Sequence, residues 1–366
     1  MMNKEAAYWI SLAHLPGWGY SAVNKLIVAF YHDRKISVVE FFSCDKKTWR
    51  DSYNLSEKEV NDLVQAKEML PNSGFLAEQL HNNGIEVIPI ISTDYSAKIK
   101  SNLKTAGSPP LLYIKGNSQI LKENSVAIVG SRNASEISIG FTDNIAKMVS
   151  EQFRVVVSGF AKGVDKAALD SALKYKGRSI IVLPQGVNTF TSGYKTYYKQ
   201  IVAGDVLVLS VFHPKSVWSV GLAMARNPVI YGLADEIYVA ESGDSGGTWS
   251  GVSDGLKKGR KIFVRKPSAE EKNANALLIQ KGAVAVDPEG NPVEDTGFTD
   301  IDSDLSASIL EFISSKPRKI SEIAESVGGR ISEESLRNFL ISQKNVQEVR
   351  IKNTPQYTII TPGLFG

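Results

Sequence analysis

The sequence predicts an α/β protein built on an extended parallel sheet, and three observations predict it. Residues 125–131 read Ser-Val-Ala-Ile-Val-Gly-Ser, with Arg132 next: an apolar, β-branched run ending in small residues. The design returns at 154–159 as Arg-Val-Val-Val-Ser-Gly. Strand-like and helix-like runs then alternate as far as residue 265. A parallel strand that ends this way delivers backbone N–H groups and a helix N-terminus to an anion, so the sheet is expected to bind phosphate.

In chain order, residues 1–70 form a helical domain. Their apolar positions recur at helical spacing, as Tyr8, Leu12 and Leu15, then Val23, Leu26, Ile27 and Phe30, then Val60, Leu63 and Val64. Leu15-Pro16-Gly17-Trp18-Gly19 joins two of these helices. That turn resembles the hairpin of helix-hairpin-helix modules, whose glycines let N–H groups approach a DNA phosphate; a plain interhelical turn is the blander reading. Pro71 opens a linking region, in which 84–88 and 111–114 read as short strands added to the edge of the sheet that follows.

The sheet domain spans 71–286. Strands are expected at 126–129, 154–157, 178–183, 205–211, 236–240 and 261–265. Helices are expected near 136–151, 162–175, 217–226 and 248–258, which covers both faces of a parallel sheet. After Pro267 the composition turns loop-like, and 287–304 is acidic and turn-rich, a linker. Residues 305–366 carry three apolar helical faces, the first holding Ile309 and Ile313, the second Ile320 and Ile323, the third Leu336 and Phe339. A hairpin pattern at 346–351 and 357–360 follows, which suggests a winged helix.

Composition narrows the class. With 366 residues, 43% apolar and 22% charged, the chain has the make-up of a soluble protein of two or three domains. The lone Cys44 precludes an intrachain disulfide and fits a reducing compartment. No run approaches the roughly 18 apolar residues of a membrane span, and the N-terminus lacks a secretory layout, so a cytoplasmic location away from membranes is expected. Net charge is only +3, but residues 119–266 hold 19 Lys and Arg against 12 Asp and Glu, while residues 299–366 hold 8 against 9. The positive excess lies on the sheet domain, where a polyanion would dock.

Four loops at the expected carboxyl ends of strands carry the candidate site. They are Gly130-Ser131-Arg132; Ser158-Gly159-Phe160-Ala161-Lys162-Gly163; Ala225-Arg226-Asn227; and Ser242 to Thr248, containing Ser245, Gly246 and Gly247. Converging in one crevice, they would offer N–H groups, hydroxyls and the cations Arg132, Lys162 and Arg226 to phosphates. An arginine can grip a phosphate with two parallel N–H bonds. Tyr194, Lys195, Tyr197, Tyr198 and Lys199 interleave rings with charges that could stack bases. Trp218 and Trp249 flank the later loops, and Trp218 is expected in the core or at a subunit interface. Neither the dinucleotide fingerprint nor a Walker A loop is present, which disfavours NAD enzymes and P-loop ATPases.

Val-Ala-Ile-Val-Gly-Ser-Arg at 126–132, Val-Val-Ser-Gly-Phe-Ala-Lys-Gly-Val-Asp at 156–165 and Arg-Asn-Pro-Val-Ile-Tyr-Gly-Leu-Ala-Asp at 226–235 resemble the DNA-processing protein A (DprA, also Smf) family. The resemblance implies an extended Rossmann-like sheet, a helix-hairpin-helix or SAM-like front domain and a winged-helix tail. It further implies single-stranded DNA binding without catalysis or cofactor, self-association as a homodimer, and loading of a RecA-type recombinase. Ser131, Arg132, Ser158, Gly159, Lys162, Arg226 and Asn227 would fall in the strand-binding pocket.

The chain departs from the family pattern at Pro184-Gln185-Gly186-Val187-Asn188, which lacks the usual Tyr-Pro, and at Arg226-Asn227-Pro228, where members carry Arg-Asn-Arg. Two alternatives stay open: an antitoxin or regulator in a phage-defence or mobile-element cassette that binds a cognate toxin, and a sensor of a nucleotide-derived ligand. Ser245-Gly246-Gly247-Thr248 also resembles the loop of nucleotide phosphoribohydrolases, but their catalytic Glu position falls on Gly251, which does no acid–base work. His14, His32, His81 and His213 fall on different expected elements, so no metal site is expected, and Asp165 reads as a loop-orienting group.

Overall fold

A computed structural model describes residues 5–268, 270–293, 303–328, 333–343, 345–351 and 354–360. The chain divides into two units, Met1–Val293 and Glu294–Gly366. The first begins with helices α1 (Ala6–Ala13), α2 (Tyr20–Ile27), α3 (Val38–Ser43), α4 (Lys46–Tyr53), α5 (Glu57–Glu68) and α6 (Leu70–Asn82). Local chemistry starts several of them: Ser37 with Glu40 and Ser56 with Glu59 form capping boxes, and Asp45 caps α4. Pro71 does not open a linker. It stands in the first turn of α6, where its missing N–H costs nothing.

The sheet is assembled from β1 (Glu86–Pro89), then, after α7 (Ala97–Gly107), β2 (Leu111–Lys115) and β3 (Ser125–Val129). There follow α8 (Glu136–Glu151), β4 (Val155–Ser158), α9 (Val164–Lys174), β5 (Arg178–Val182), α10 (Thr191–Thr196), α11 (Tyr198–Ala203) and β6 (Val206–Ser210). Next come α12 (Val220–Leu233), β7 (Glu236–Val239), α13 (Gly246–Lys257), β8 (Ile262–Arg265), α14 (Asn275–Gln280) and β9 (Val284–Val286). The nine strands lie in the order β1-β2-β6-β5-β4-β3-β7-β8-β9. Pairing is parallel from β6 through β9, with register such as Val126 opposite Val156 and Ala127 opposite Ile237. β1 and β2 extend one edge of the sheet, as expected, and do so in antiparallel sense. The loop-like stretch expected after Pro267 is corrected: α14 and β9 add a ninth strand there, on a run too short to announce itself by period.

The central strands are apolar on both faces because helices cover both. Ala127, Val129, Val155, Val157, Ile180 and Val182 face a layer that includes Ile99, Val229, Leu233 and Val252. Val126, Ile128 and Val156 face Phe141, Ile145 and Ala168 of α8 and α9. The front helices are not a separate body, since Trp9, Leu12, Phe30 and Phe41 share one core with Tyr113, Ile181, Val206 and Val208 of the sheet.

The second unit holds α15 (Ser303–Ser314), α16 (Ile320–Ser326), α17 (Glu333–Ser342) and an antiparallel ribbon of β10 (Val346–Ile351) with β11 (Thr354–Ile359). Ile309, Ile313, Ile323, Leu336, Leu340 and Tyr357 form its core. Of the expected linker at 287–304, residues 294–302 lie outside the described residues. No described helix is long and apolar enough to cross a membrane.

Candidate phosphate-binding site

Strand order places the site. From β3 the chain lays β4, β5 and β6 to one side, then crosses to lay β7, β8 and β9 on the other. The turns after β3 and β7 therefore diverge and leave a crevice at their carboxyl ends, where open α/β sheets bind ligands. A bowl of about 450 Å³ opens there. Gly130, Ser131 and Arg132 line it from β3, Arg226 and Asn227 from α12, and Ser245, Gly246, Gly247 and Thr248 from the entry to α13.

Ser158, Gly159, Lys162 and Gly163 stand outside the lining; their loop reaches the bowl through Ala161, and Asp165 follows from α9. The Ser158 hydroxyl donates to the Ile128 carbonyl at 2.8 Å. Gly163 has φ of +84°, and a Cβ there would lie 2.4 Å from the Ser131 carbonyl oxygen, so the glycine lets the two loops touch. Lys162 is exposed.

The expected loop at Ala225-Arg226-Asn227 is corrected, because these residues lie within α12. The helix continues through Pro228, which withholds a hydrogen bond only from the carbonyl of Met224, an exposed residue where water can serve. Being on the inner face of a helix changes what Arg226 does. It is 3% exposed; Nη1 donates to the Val182 carbonyl at 2.7 Å, and Nη2 stands 3.9 Å from the Asp165 carboxylate. The two-pronged grip expected of it is thus partly taken up by the protein itself. Burial pushes the Asp165 carboxyl above the usual range, while Arg226, the Ala161 N–H and the Ser158 hydroxyl pull it back. Asp165 also accepts from Ala161 N at 3.3 Å, which orients the loop.

Of the expected N–H donors, that of Ser131 is engaged by the Glu241 carbonyl at 2.9 Å. The first turn of α13 is different: Ser245 supplies no side-chain cap, so the orphan N–H groups at Gly246, Gly247 and Thr248 and the positive end of the helix dipole lie at the bowl. Gly247, Gly251 and Gly255 follow at intervals of four. A Cβ would come within 2.9 Å of Asn227 at the first, 2.7 Å of Tyr231 at the second and 2.8 Å of Ile262 at the third. The first two glycines let α13 lie close against α12, and Gly255 lets it lie close against β8.

Residues not among the expected site residues also line the bowl, notably Val220, Met224, Ile230 and Tyr231. The Tyr231 hydroxyl and Arg226 Nε are buried without a partner among the described residues. Helical spacing from Arg226 and Asn227 to Ile230 and Tyr231 was the signal for this face.

The aromatic residues sort unevenly. Tyr194 and Tyr197 pack around Phe160 and Phe190, whereas Tyr198 is exposed. Trp249 is half-buried against the core. Trp218, expected to be buried or at an interface, is 48% exposed, with the Arg132 guanidinium 5.9 Å from its ring centroid. The histidines are not all scattered either: the rings of His14 and His213 meet edge-on at 5.3 Å, because the front helices pack on the sheet edge. Among the described residues no three metal-ligating side chains come together.

An uncapped helix N-terminus and glycine-lined turns at the switch point of a parallel sheet define a Rossmann-like protein with anion-binding geometry. The family model for DNA recombination-mediator protein A matches residues 86–296, and the chain belongs to that family. It is 32% identical over 181 residues to DNA processing protein DprA of Streptococcus pneumoniae, an alignment covering 49% of this chain and 64% of that protein. To DNA processing protein DprA of Bacillus subtilis it is 27% identical over 229 residues, covering 62% of this chain and 75% of the relative. The X-ray structure of DprA from Streptococcus pneumoniae matches with a TM-score of 0.56 at 25% identity, covering 78% of this chain and 95% of that one.

Proposed function

We propose that the chain is a non-catalytic, single-stranded DNA-binding protein of DNA processing and recombination, which holds strand phosphates in the bowl and hands the strand to a RecA-type recombinase. The observation that carries the reading is the uncapped first turn of α13 lining the same bowl as Arg132. Gly130, Ser131, Asn227 and Thr248 add polar groups to the wall, and Lys162 adds charge outside it. Gly251 stands where a glycosidase of related fold would carry its acid, and its contact with Tyr231 leaves no room for one. The family match favours this reading over a toxin-binding regulator or a small-ligand sensor. In the same reading the chain works as a homodimer, and its three-helix-and-ribbon tail is a winged helix that contacts protein.

Titration of a labelled oligonucleotide at several salt concentrations tests it. Neutralising several phosphates makes affinity fall steeply with added salt; absent or salt-independent binding overturns the reading.

A further inference from the structure

We propose that the ridge formed by Val217, Trp218, Val220 and Met224 is a nucleobase-stacking platform. The inference rests on the reading that the bowl holds strand phosphates, and it assigns the neighbouring bases to a surface of their own. All four side chains stand in solvent, Val217 73%, Val220 64%, Trp218 48% and Met224 41% exposed. Val220 and Met224 also line the bowl, so the apolar ridge begins at its lip. The Arg132 guanidinium belongs to both places: it lines the bowl, and it lies over the Trp218 ring.

The platform is held in place from both ends. On one side Gly186 N–H donates to the Ser216 carbonyl at 2.8 Å, and the Thr189 hydroxyl donates to it at 3.2 Å. On the other, the Ser219 hydroxyl accepts from Leu222 N–H and caps α12. The indole between these anchors is carried on fixed backbone. In a single strand the bases turn away from the phosphates, so a nucleotide whose phosphate meets Arg132 presents its base to the adjoining ring. A flat aromatic face accepts any base, which suits binding without sequence preference. Charge complementarity selects this occupant, because a nucleic acid brings an anion to Arg132 together with an apolar face for the ridge.

The test compares the full chain's affinity for oligothymidylate with that for an abasic oligomer of equal length and equal phosphate number. Wild type is expected to prefer the thymidylate by about tenfold. Trp218→Ala should lose that preference while its affinity for the abasic strand stays unchanged, and Trp218→Tyr should keep most of it. The platform is overturned if wild type does not discriminate, or if Trp218→Ala binds both oligomers as wild type does. Should Trp218→Ala instead change self-association in sedimentation with both affinities intact, the ridge is a protein contact and the proposal fails. Wild type that binds neither oligomer removes the phosphate reading itself, a result distinct from these.

Discussion

A Cβ at Gly159 would lie 1.8 Å from Nη1 of Arg226 and 2.3 Å from its Cζ, so this glycine is the space into which the buried guanidinium fits. The arrangement couples the β4 loop to α12 beneath the bowl. Gly159→Ala is expected to cost about 2 kcal/mol by overpacking, read as a lower denaturant midpoint. In an Arg226→Ala background the same change should cost less than about 0.5 kcal/mol, since the clashing atoms are gone. Equal costs in the two backgrounds would show that Arg226 is not what the glycine accommodates.

Arg132 and Lys162 differ in place although both are exposed, for only Arg132 lines the bowl. Arg132→Ala should reduce the salt slope of oligonucleotide binding by about one and leave thermal stability unchanged. Lys162→Ala should weaken binding less. A folded Arg132→Ala protein with wild-type affinity would move the site elsewhere.

Gly251 lies under the Tyr231 ring, with 2.8 Å from a built Cβ to the phenol oxygen. Burial pushes the Tyr231 hydroxyl well above its ordinary value, so it stays protonated and holds its ground. Gly251→Glu, which places an acid at the position where the hydrolase loop that 245–248 resembles carries one, should therefore destabilise by about 2 kcal/mol and release no base from nucleoside monophosphates. Urea melts and a base-release assay check the two halves; base release above the wild-type level would mean that the site is one residue short of an enzyme.

The strands were legible because burial on both faces leaves an unbroken β-branched run, as at Val155 to Val157, and each strand expected from 126 to 265 is found. The loops of the site were less so. Arg226 carries the family motif, but a motif does not say which way a side chain turns, and the helix expected near 217–226 runs on through Pro228 to Leu233. The pairing of His14 with His213 had no sequence signal, since it exists only through packing between elements 199 residues apart. Trp218 falls inside the helix expected near 217–226, but α12 begins only at Val220 and the indole stands on the irregular segment after β6.

That histidine contact gives the fold an acid-sensitive joint. His14 shares a 2.8 Å hydrogen bond with the buried Tyr113 hydroxyl, and burial, reinforced by His213, lowers its pKa from 6.5 to about 4. A neutral His14 in the folded chain faces an unfolded chain that takes up a proton once pH drops below 6.5. Its contribution is therefore complete above pH 6.5, is lost progressively as pH falls toward 4, and changes no further once the folded form is protonated as well. Across that window the loss amounts to about 3 kcal/mol. His14→Gln keeps a polar partner for Tyr113 without a titrating group, so its urea midpoint should fall less than that of wild type between pH 7 and 4. Parallel curves for the two proteins would mean that His14 charges freely in the folded state, and the joint between α1 and the sheet edge would then need another account.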